Sequence, residues 1–233
     1  MSRTETQSEP DNRADAASYA GAHEHRATSR SGAPLTLDSI SLKNLPDGTV
    51  LGFFSKREKI KRLLWSVVQA SLFRFSPRRW DSWRAWLLRK FGAEVGRVKL
   101  IRNTVRVEIP WNISIGDRAQ IGDRVYLYSL GPIRIGADTV ISQFCHICAG
   151  THDHERTDFP LIRTPIEIGD RCWVATECFI GPGVRVSEGV VLGARAVVVK
   201  DLPAWKICVG HPAKPIADRR LADPVSGEQI SPE

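Results

Sequence analysis

The chain has 233 residues, 42% of them hydrophobic, and a formal charge of +7. That length holds one domain with a sizeable core plus extensions. No run of 18 uncharged apolar residues is present to span a bilayer, and the polar, charged start lacks an apolar signal core, so neither a membrane-spanning nor a secreted protein is expected. Five Cys (145, 148, 172, 178 and 208), odd in number and widely spread, read as reduced cytosolic thiols rather than a disulfide framework.

Residues 1–50 form the first segment. They are rich in Ser, Ala, Thr, Asp, Arg and Gly, and the first 45 or so are nearly devoid of large apolar residues, the composition of a disordered tail. His23 and His25 lie there, and an HxH pair in such a tail reads as incidental rather than as a metal site. Residues 51–92 form a basic amphipathic helical segment. Between Lys56 and Lys90 eleven Lys and Arg face only Glu58 and Asp81, a local surplus of +9 that leaves the rest of the chain near −2. So local a charge implies a local partner, an anionic membrane surface before nucleic acid. Two helices are predicted. The first carries Ile60, Leu64, Val67, Val68 and Leu72 at helical spacing. The second starts with Ser76 as N-cap and Pro77 in first position, carries Trp80, Trp83, Trp86, Leu87 and Phe91, and stops at Gly92.

From residue 93 to 218 the pattern changes. Ile115, Ile121 and Leu127 are six apart; a slip of two follows; Ile135, Ile141 and Ile147 resume the beat. Ile168, Val174, Ile180, Val186, Leu192 and Val198 then follow without a miss. Gly often comes directly after the aliphatic, and the fifth place of each hexad is small or β-branched, with Cys145, Cys172 and Cys178 among its occupants. A period of six matches neither a helix nor a simple strand and signals a repeat architecture. Six residues make one short strand and a turn, and three such units close a triangular coil. The prediction is a mainly β fold, a parallel β-helix with aliphatics pointing inward, Gly where a Cβ would crowd, and the three cysteines as small apolar packers. Residues 219–233 read as a flexible C-terminal tail.

Between Ile147 and Ile168 the beat stops for a loop at 150–165, GTHDHERTDFPLIRTP, which gathers His152, Asp153, His154, Glu155 and Asp158. With its flanks this stretch carries a resemblance. FGAEVG (91–96), PWNISIGD (110–117), ISQFCHICAGTHDH (141–154), PIEIGDRCWVA (165–175), GPGVRVSEGVVLGARAVVVKDLPAW (181–205) and GHPAKPI (210–216) are similar to the hexapeptide-repeat acyltransferases, in particular the colanic acid biosynthesis acetyltransferases, and beyond them the galactoside and maltose acetyltransferases. The resemblance covers most of residues 91–216 and implies a left-handed β-helix, a homotrimer, and transfer of an acetyl group from acetyl-CoA, with no metal, to a sugar hydroxyl.

What it implies residue by residue is as follows. His152, in the context Ala149-Gly150-Thr151-His152, is the general base: an imidazole titrates near neutral pH and can take the proton of a weakly nucleophilic hydroxyl. Asp153 and His154 orient it or touch the acceptor; His146, inside a hexad, is structural. Asn112 is the remnant of an Asn-aromatic-Asn acceptor motif whose first Asn is replaced here by Pro110. On the donor side Trp173 and Thr176 lie in a W-x-x-S-like turn, Ala194 matches a Gly-Ala motif, Val199-Lys200 match a Thr-Lys pair that has lost its hydroxyl, and Lys214 matches a phosphate-binding cation. Phe159, Pro160 and Leu161 are expected to fold the loop back onto the coil.

Two other functions suit such a fold: a metal-dependent carbonic-anhydrase type of enzyme, drawing on His146, His152 and His154, and a non-catalytic scaffold. The expected setting is cytoplasmic, peripheral to the inner membrane, with a sugar or lipid-linked glycan as acceptor and no nucleic acid.

Overall fold

The computed structural model describes residues 50–51, 54–222 and 229–230. The tail expected at 1–50, with His23 and His25, lies outside them except for Val50, which is in a strand, and Leu221–Ala222 within the C-terminal tail pair with Gln229–Ile230.

The repeat region is a parallel β-helix with three faces. The first stacks Glu94–Val95, Ile113–Ile115, Ile133–Ile135, Ile166–Ile168 and Arg185–Val186. The second stacks Leu100–Ile101, Gln120–Ile121, Val140–Ile141, Trp173–Val174, Val191–Leu192 and Lys206–Val209. The third stacks Arg106–Val107, Tyr126–Tyr128, His146–Cys148, Phe179–Ile180 and Val197–Val198. Each hexad supplies one strand and one corner, and the aliphatic at each beat points into the prism: Ile121, Leu127, Ile141, Ile147, Val174, Ile180 and Leu192 are fully buried.

The glycine after the beat answers to space rather than to dihedral angle. A Cβ on Gly116 would stand 2.5 Å from the backbone nitrogen of Ala137, and one on Gly169 2.6 Å from that of Glu188, both in the next coil. The left-handed conformation falls two residues later, at Arg118, Arg124, Asp138, Phe144, Arg171, Glu177 and Arg195, with Gly183 and Gly189 in the equivalent places. The fifth-place cysteines are buried as expected and also satisfy the ladder. The thiols of Cys145, Cys172 and Cys178 donate to the carbonyls of Ala175 (2.9 Å), Ser187 (3.1 Å) and Gly193 (3.2 Å) in the adjoining coil. All five cysteines are free.

The slip of two also has a place. Counting round the prism, the chain takes its extra residues at one corner only, between the third face and the first: a 3-10 turn at Pro110–Asn112, then Ser129–Pro132, then the whole loop at 149–165.

Helix α1 (Lys56–Val68) and helix α2 (Asp81–Lys90), joined by a π turn at Gln69–Phe73, cover the first coil. The first coil has one open edge, whose strand amides and carbonyls need partners. Side chains supply them. Trp65 Nε1 donates to Val107 O (2.7 Å) and Gln69 Oε1 accepts from Val107 N (2.6 Å). Arg84 Nε donates to Ile101 O (2.5 Å), Asp81 Oδ1 accepts from Ile101 N (2.9 Å), and Arg89 donates to Val95 O (2.7 Å).

This corrects two expectations. The predicted stripe of Ile60, Leu64, Val67 and Leu72 faces solvent, with Ile60 61% exposed, while Trp65 at 1% faces the coil. The open edge selects side chains with polar tips, so the purely apolar stripe turns outward. The π turn takes up an extra residue and brings Phe73 back against Trp65, ring centroids 6.0 Å apart. Finally, Ser76 does not cap α2. Its hydroxyl donates to Phe73 O and accepts from the buried Arg84, Pro77–Trp80 is a turn, and the helix begins at Asp81. The N-cap present is at α1, where Ser55 and Glu58 form a capping box.

Gly169→Ala should lower stability by about 1–3 kcal/mol, the range for overpacking. Gly181→Ala, whose Cβ would meet nothing nearer than Val198 O at 3.2 Å, should cost less. Urea midpoints of the two variants check the order.

Candidate active site

The loop at 149–165 is a small antiparallel hairpin. Thr151–His152 pair with Leu161–Arg163, and the latter pair with Val50–Leu51, the strand that precedes α1. Its hairpin is closed by backbone: Asp153 N donates to Pro160 O (3.1 Å) and Phe159 N to Arg156 O (3.2 Å). The Phe159 ring is 57% exposed, so that residue holds the loop through its backbone and not through a side chain laid on the coil.

His152 is exposed, and its Nδ1 lies 2.6 Å from Phe159 O. A carbonyl oxygen can only accept, so Nδ1 carries a proton, and in the neutral ring the lone pair belongs to Nε2. The other loop residues contribute differently. Asp153 Oδ1 accepts from Glu155 N (3.0 Å), an Asx-type turn inside the loop, and does not reach the imidazole. His154 is exposed. Arg156 and Asp158 pair with each other, which holds the Asp158 carboxyl below its ordinary range.

Asn112 shares the corner with this loop. Its Nδ2 donates to Ser129 O (2.9 Å) and Leu130 O (2.8 Å), so both its donor hydrogens bind the corner of the next coil. Gly131 N in turn donates to Ala149 O (2.8 Å), where the loop departs.

Residues of the third face stand next to this corner, and of them the sequence had singled out only His146. Arg106, Tyr126, His146 and Phe179 form an outward row across four coils: Arg106 lies over Tyr126 (4.5 Å), Tyr126 stacks on His146 (4.9 Å) and His146 meets Phe179 edge-on (5.6 Å). Tyr128 pairs with Cys148 in the second outward row. Glu108 ties the row to α1, accepting from the Tyr126 hydroxyl (2.9 Å) and from Arg62 (2.5 Å). Burial pushes the Tyr126 hydroxyl up and the His146 imidazole down from their ordinary values. The signal was legible, since Tyr126 and Tyr128 flank a buried Leu127 in strict alternation. His146 is thus part of a stacked row and His152 of an open loop. Among the described residues of the single chain no three His, Cys, Asp or Glu side chains converge as metal ligands would.

The donor-side residues divide between two places. Trp173 lies on the second face, its indole exposed and donating to Ser142 Oγ (3.2 Å). Thr176 and Ala194 occupy the corner between the second and third faces in consecutive coils, joined through Arg195 N and Thr176 O (2.9 Å). Lys214 is near them, opposite Val209 in the antiparallel strand that closes the second face. Val199 and Lys200 sit instead at the corner between the third face and the first, the edge that also carries Asn112 and His152. Lys200 and Lys214 are exposed and have no carboxylate partner among the described residues.

No model of a known protein family matches the chain. Over 160 residues, however, it is 49% identical to WcaF of Escherichia coli K12, a candidate colanic acid biosynthesis acetyltransferase, covering 69% of this chain and 88% of that one. The chain belongs to this family of acetyltransferases. Solved structures agree on the fold. A maltose O-acetyltransferase of Clostridium difficile 630 superposes with a TM-score of 0.63 at 24% identity, covering 70% of this chain and 89% of the other. A hexapeptide-repeat acetyltransferase of Vibrio cholerae, complexed with acetyl coenzyme A, gives 0.63 at 24% identity, covering 70% and 90%. The hexapeptide-repeat β-helix read from the period of six is the fold of this acetyltransferase, which is an enzyme and not a scaffold.

Asn112→Ala should lower stability by about 1–3 kcal/mol, because two corner carbonyls lose their donors. Unchanged stability with a raised acceptor KM would instead make Asn112 an acceptor contact; chemical denaturation and steady-state kinetics separate the two.

Proposed function

We propose that the enzyme moves the acetyl group of acetyl-CoA to a sugar hydroxyl in exopolysaccharide or lipid-linked glycan assembly, with His152 as general base. One observation supports this reading: Phe159 O lies 2.6 Å from His152 Nδ1, so in the neutral ring the lone pair belongs to Nε2 on an exposed loop. The hydroxyl gives its proton to Nε2 as its oxygen attacks the thioester carbonyl. The tetrahedral intermediate then collapses, the C–S bond breaks, and the imidazolium returns a proton to the departing CoA thiolate. The name of the relative WcaF supports the polysaccharide setting and that of the maltose enzyme the hydroxyl acceptor. The outward Tyr126 and Tyr128 offer aromatic surface for a sugar ring beside the corner from which the loop leaves.

The donor residues suit acetyl-CoA in kind: Lys200 and Lys214 are unneutralised cations for its phosphates, and the V. cholerae neighbour was solved with that molecule. Their division between two edges of the prism favours a site completed by two copies. The reading is therefore a homotrimer in which the edge carrying His152 and Lys200 meets the Trp173, Thr176, Ala194 and Lys214 side of a neighbour. The reaction is placed on the cytoplasmic side of the inner membrane; no helix among the described residues is long and apolar enough to cross it.

His152→Ala should cut kcat/KM for acetyl transfer by about 10²–10⁴-fold, the usual share of a general base, and leave acetyl-CoA binding intact by calorimetry. His154→Ala should cost much less, and the reverse order would transfer the role to His154. Lys200→Ala and Lys214→Ala should raise the KM of acetyl-CoA more than they lower kcat, since phosphate contacts are mostly uniform binding. Analytical ultracentrifugation should find three chains, and an active monomer would refute the shared site.

A further inference from the structure

The helices that cap the first coil have two faces. The inner one, with Trp65, Phe73, Leu87 and Leu88, is buried. The outer one exposes an unusual amount of apolar surface. Ile60, Leu63, Val67 and Leu72 are each more than half exposed, Phe75 is 84% exposed, and Trp80 is 54% exposed. Leu63 and Val67 stand two residues either side of Trp65, hence on the opposite side of α1 from the coil. Leu72, Phe75 and Trp80 also line an apolar hollow of about 390 Å³ with Trp83. Trp80, Trp83 and Trp86 run on as a row of rings, 6.4 and 4.9 Å apart. Soluble proteins seldom leave so much contiguous apolar surface uncovered unless something binds it.

The charge around this surface says what binds. Nine of the eleven cations of the segment are exposed, and Lys56, Arg57, Lys59, Arg74 and Arg79 have no carboxylate partner among the described residues. The two acids are occupied with the fold: Glu58 closes the capping box and approaches Arg163 (3.8 Å), and Asp81 bonds Arg84 and Ile101 N. Apolar side chains and indoles rimmed by unneutralised cations fit the boundary of an anionic bilayer, where rings sit at headgroup depth and cations meet lipid phosphates.

We propose that the outer face of α1, the π turn and α2 docks on anionic lipid. This deepens the membrane setting proposed above by naming the face and the lipid class. The site is also linked to the catalytic loop: Val50–Leu51, just before α1, pair with Arg163 and Ile162, and Arg62 and Arg163 both lie over the Phe54 ring (4.2 and 4.9 Å). Docking therefore holds the His152 loop beside the surface. In a cyclic trimer rotation about one axis relates the three patches, so all three meet one membrane when they point along that axis.

The test is co-sedimentation of the full chain with vesicles of neutral phosphatidylcholine, or of the same lipid with about one third phosphatidylglycerol, at low and high salt. Wild type should bind the anionic vesicles at least tenfold more tightly than the neutral ones and lose affinity as salt screens the charges. Leu63→Gln with Val67→Gln should weaken binding more than tenfold, and Lys56→Gln with Lys59→Gln about fivefold per cation removed. His152→Ala should bind as wild type does, so that loss of lipid binding and loss of transfer are read separately. Binding to neither vesicle, binding indifferent to salt, or a change of oligomeric mass in the Leu63/Val67 variant without a change in lipid binding would overturn the proposal, the last by making the face a subunit contact.

Discussion

The constraint on which this molecule rests is that every coil must match the backbone of the coil on either side. Parallel strands donate and accept along both edges, so a residue that disturbs one coil disturbs the ladder of two. This is why Gly169 and Gly116 admit no Cβ, why the fifth-place thiols point at carbonyls of the next turn, and why the first coil needs a cover whose side chains carry polar tips. The buried Arg84 shows how strictly the requirement is met. Its guanidinium donates to Ile101 O, Ser76 Oγ, Pro77 O, Arg78 O and Asp81, so that no donor is left bare although the side chain is fully buried.

The same constraint leaves only one way to add chemistry. A strand cannot accept an insertion without breaking its pairing, but a corner can. Asn112, the Ser129–Pro132 turn and the His152 hairpin all emerge at one corner, and the extra residues there are the slips in an otherwise regular beat. Repetition supplies the scaffold, and the departures from it mark the edge at which the candidate site lies.

These two aspects were unequally legible in the sequence. The period of six predicted faces, interior and even the reason for the glycines, because a repeat averages away local ambiguity. The interruption singled out His152 as the candidate base. What remained hidden depended on contacts between distant segments. Nothing local says that Phe159 O will select the tautomer of His152, or that Ile60 and Val67 will be turned outward because Val107 requires Trp65 and Gln69. Ser76-Pro77 looked like a helix start because the motif is right locally, yet Arg84 claims that hydroxyl from eight residues away. Two signals were present and unused: Ser55-x-x-Glu58, and the alternation that turns Tyr126 and Tyr128 outward.

Stacked coils also make the prism a ruler. Neighbouring strands are spaced about 4.8 Å apart, and His146–Cys148, from which the hairpin departs, is the third strand along its face counted from Arg106–Val107 at the helix-covered end. The corner of the candidate site is thus held about two spacings, or roughly 10 Å, from that first coil. Evolution can alter this height only in whole coils, since a fraction of a turn would leave the ladder unpaired. Reach toward an acceptor is in this fold a quantised property.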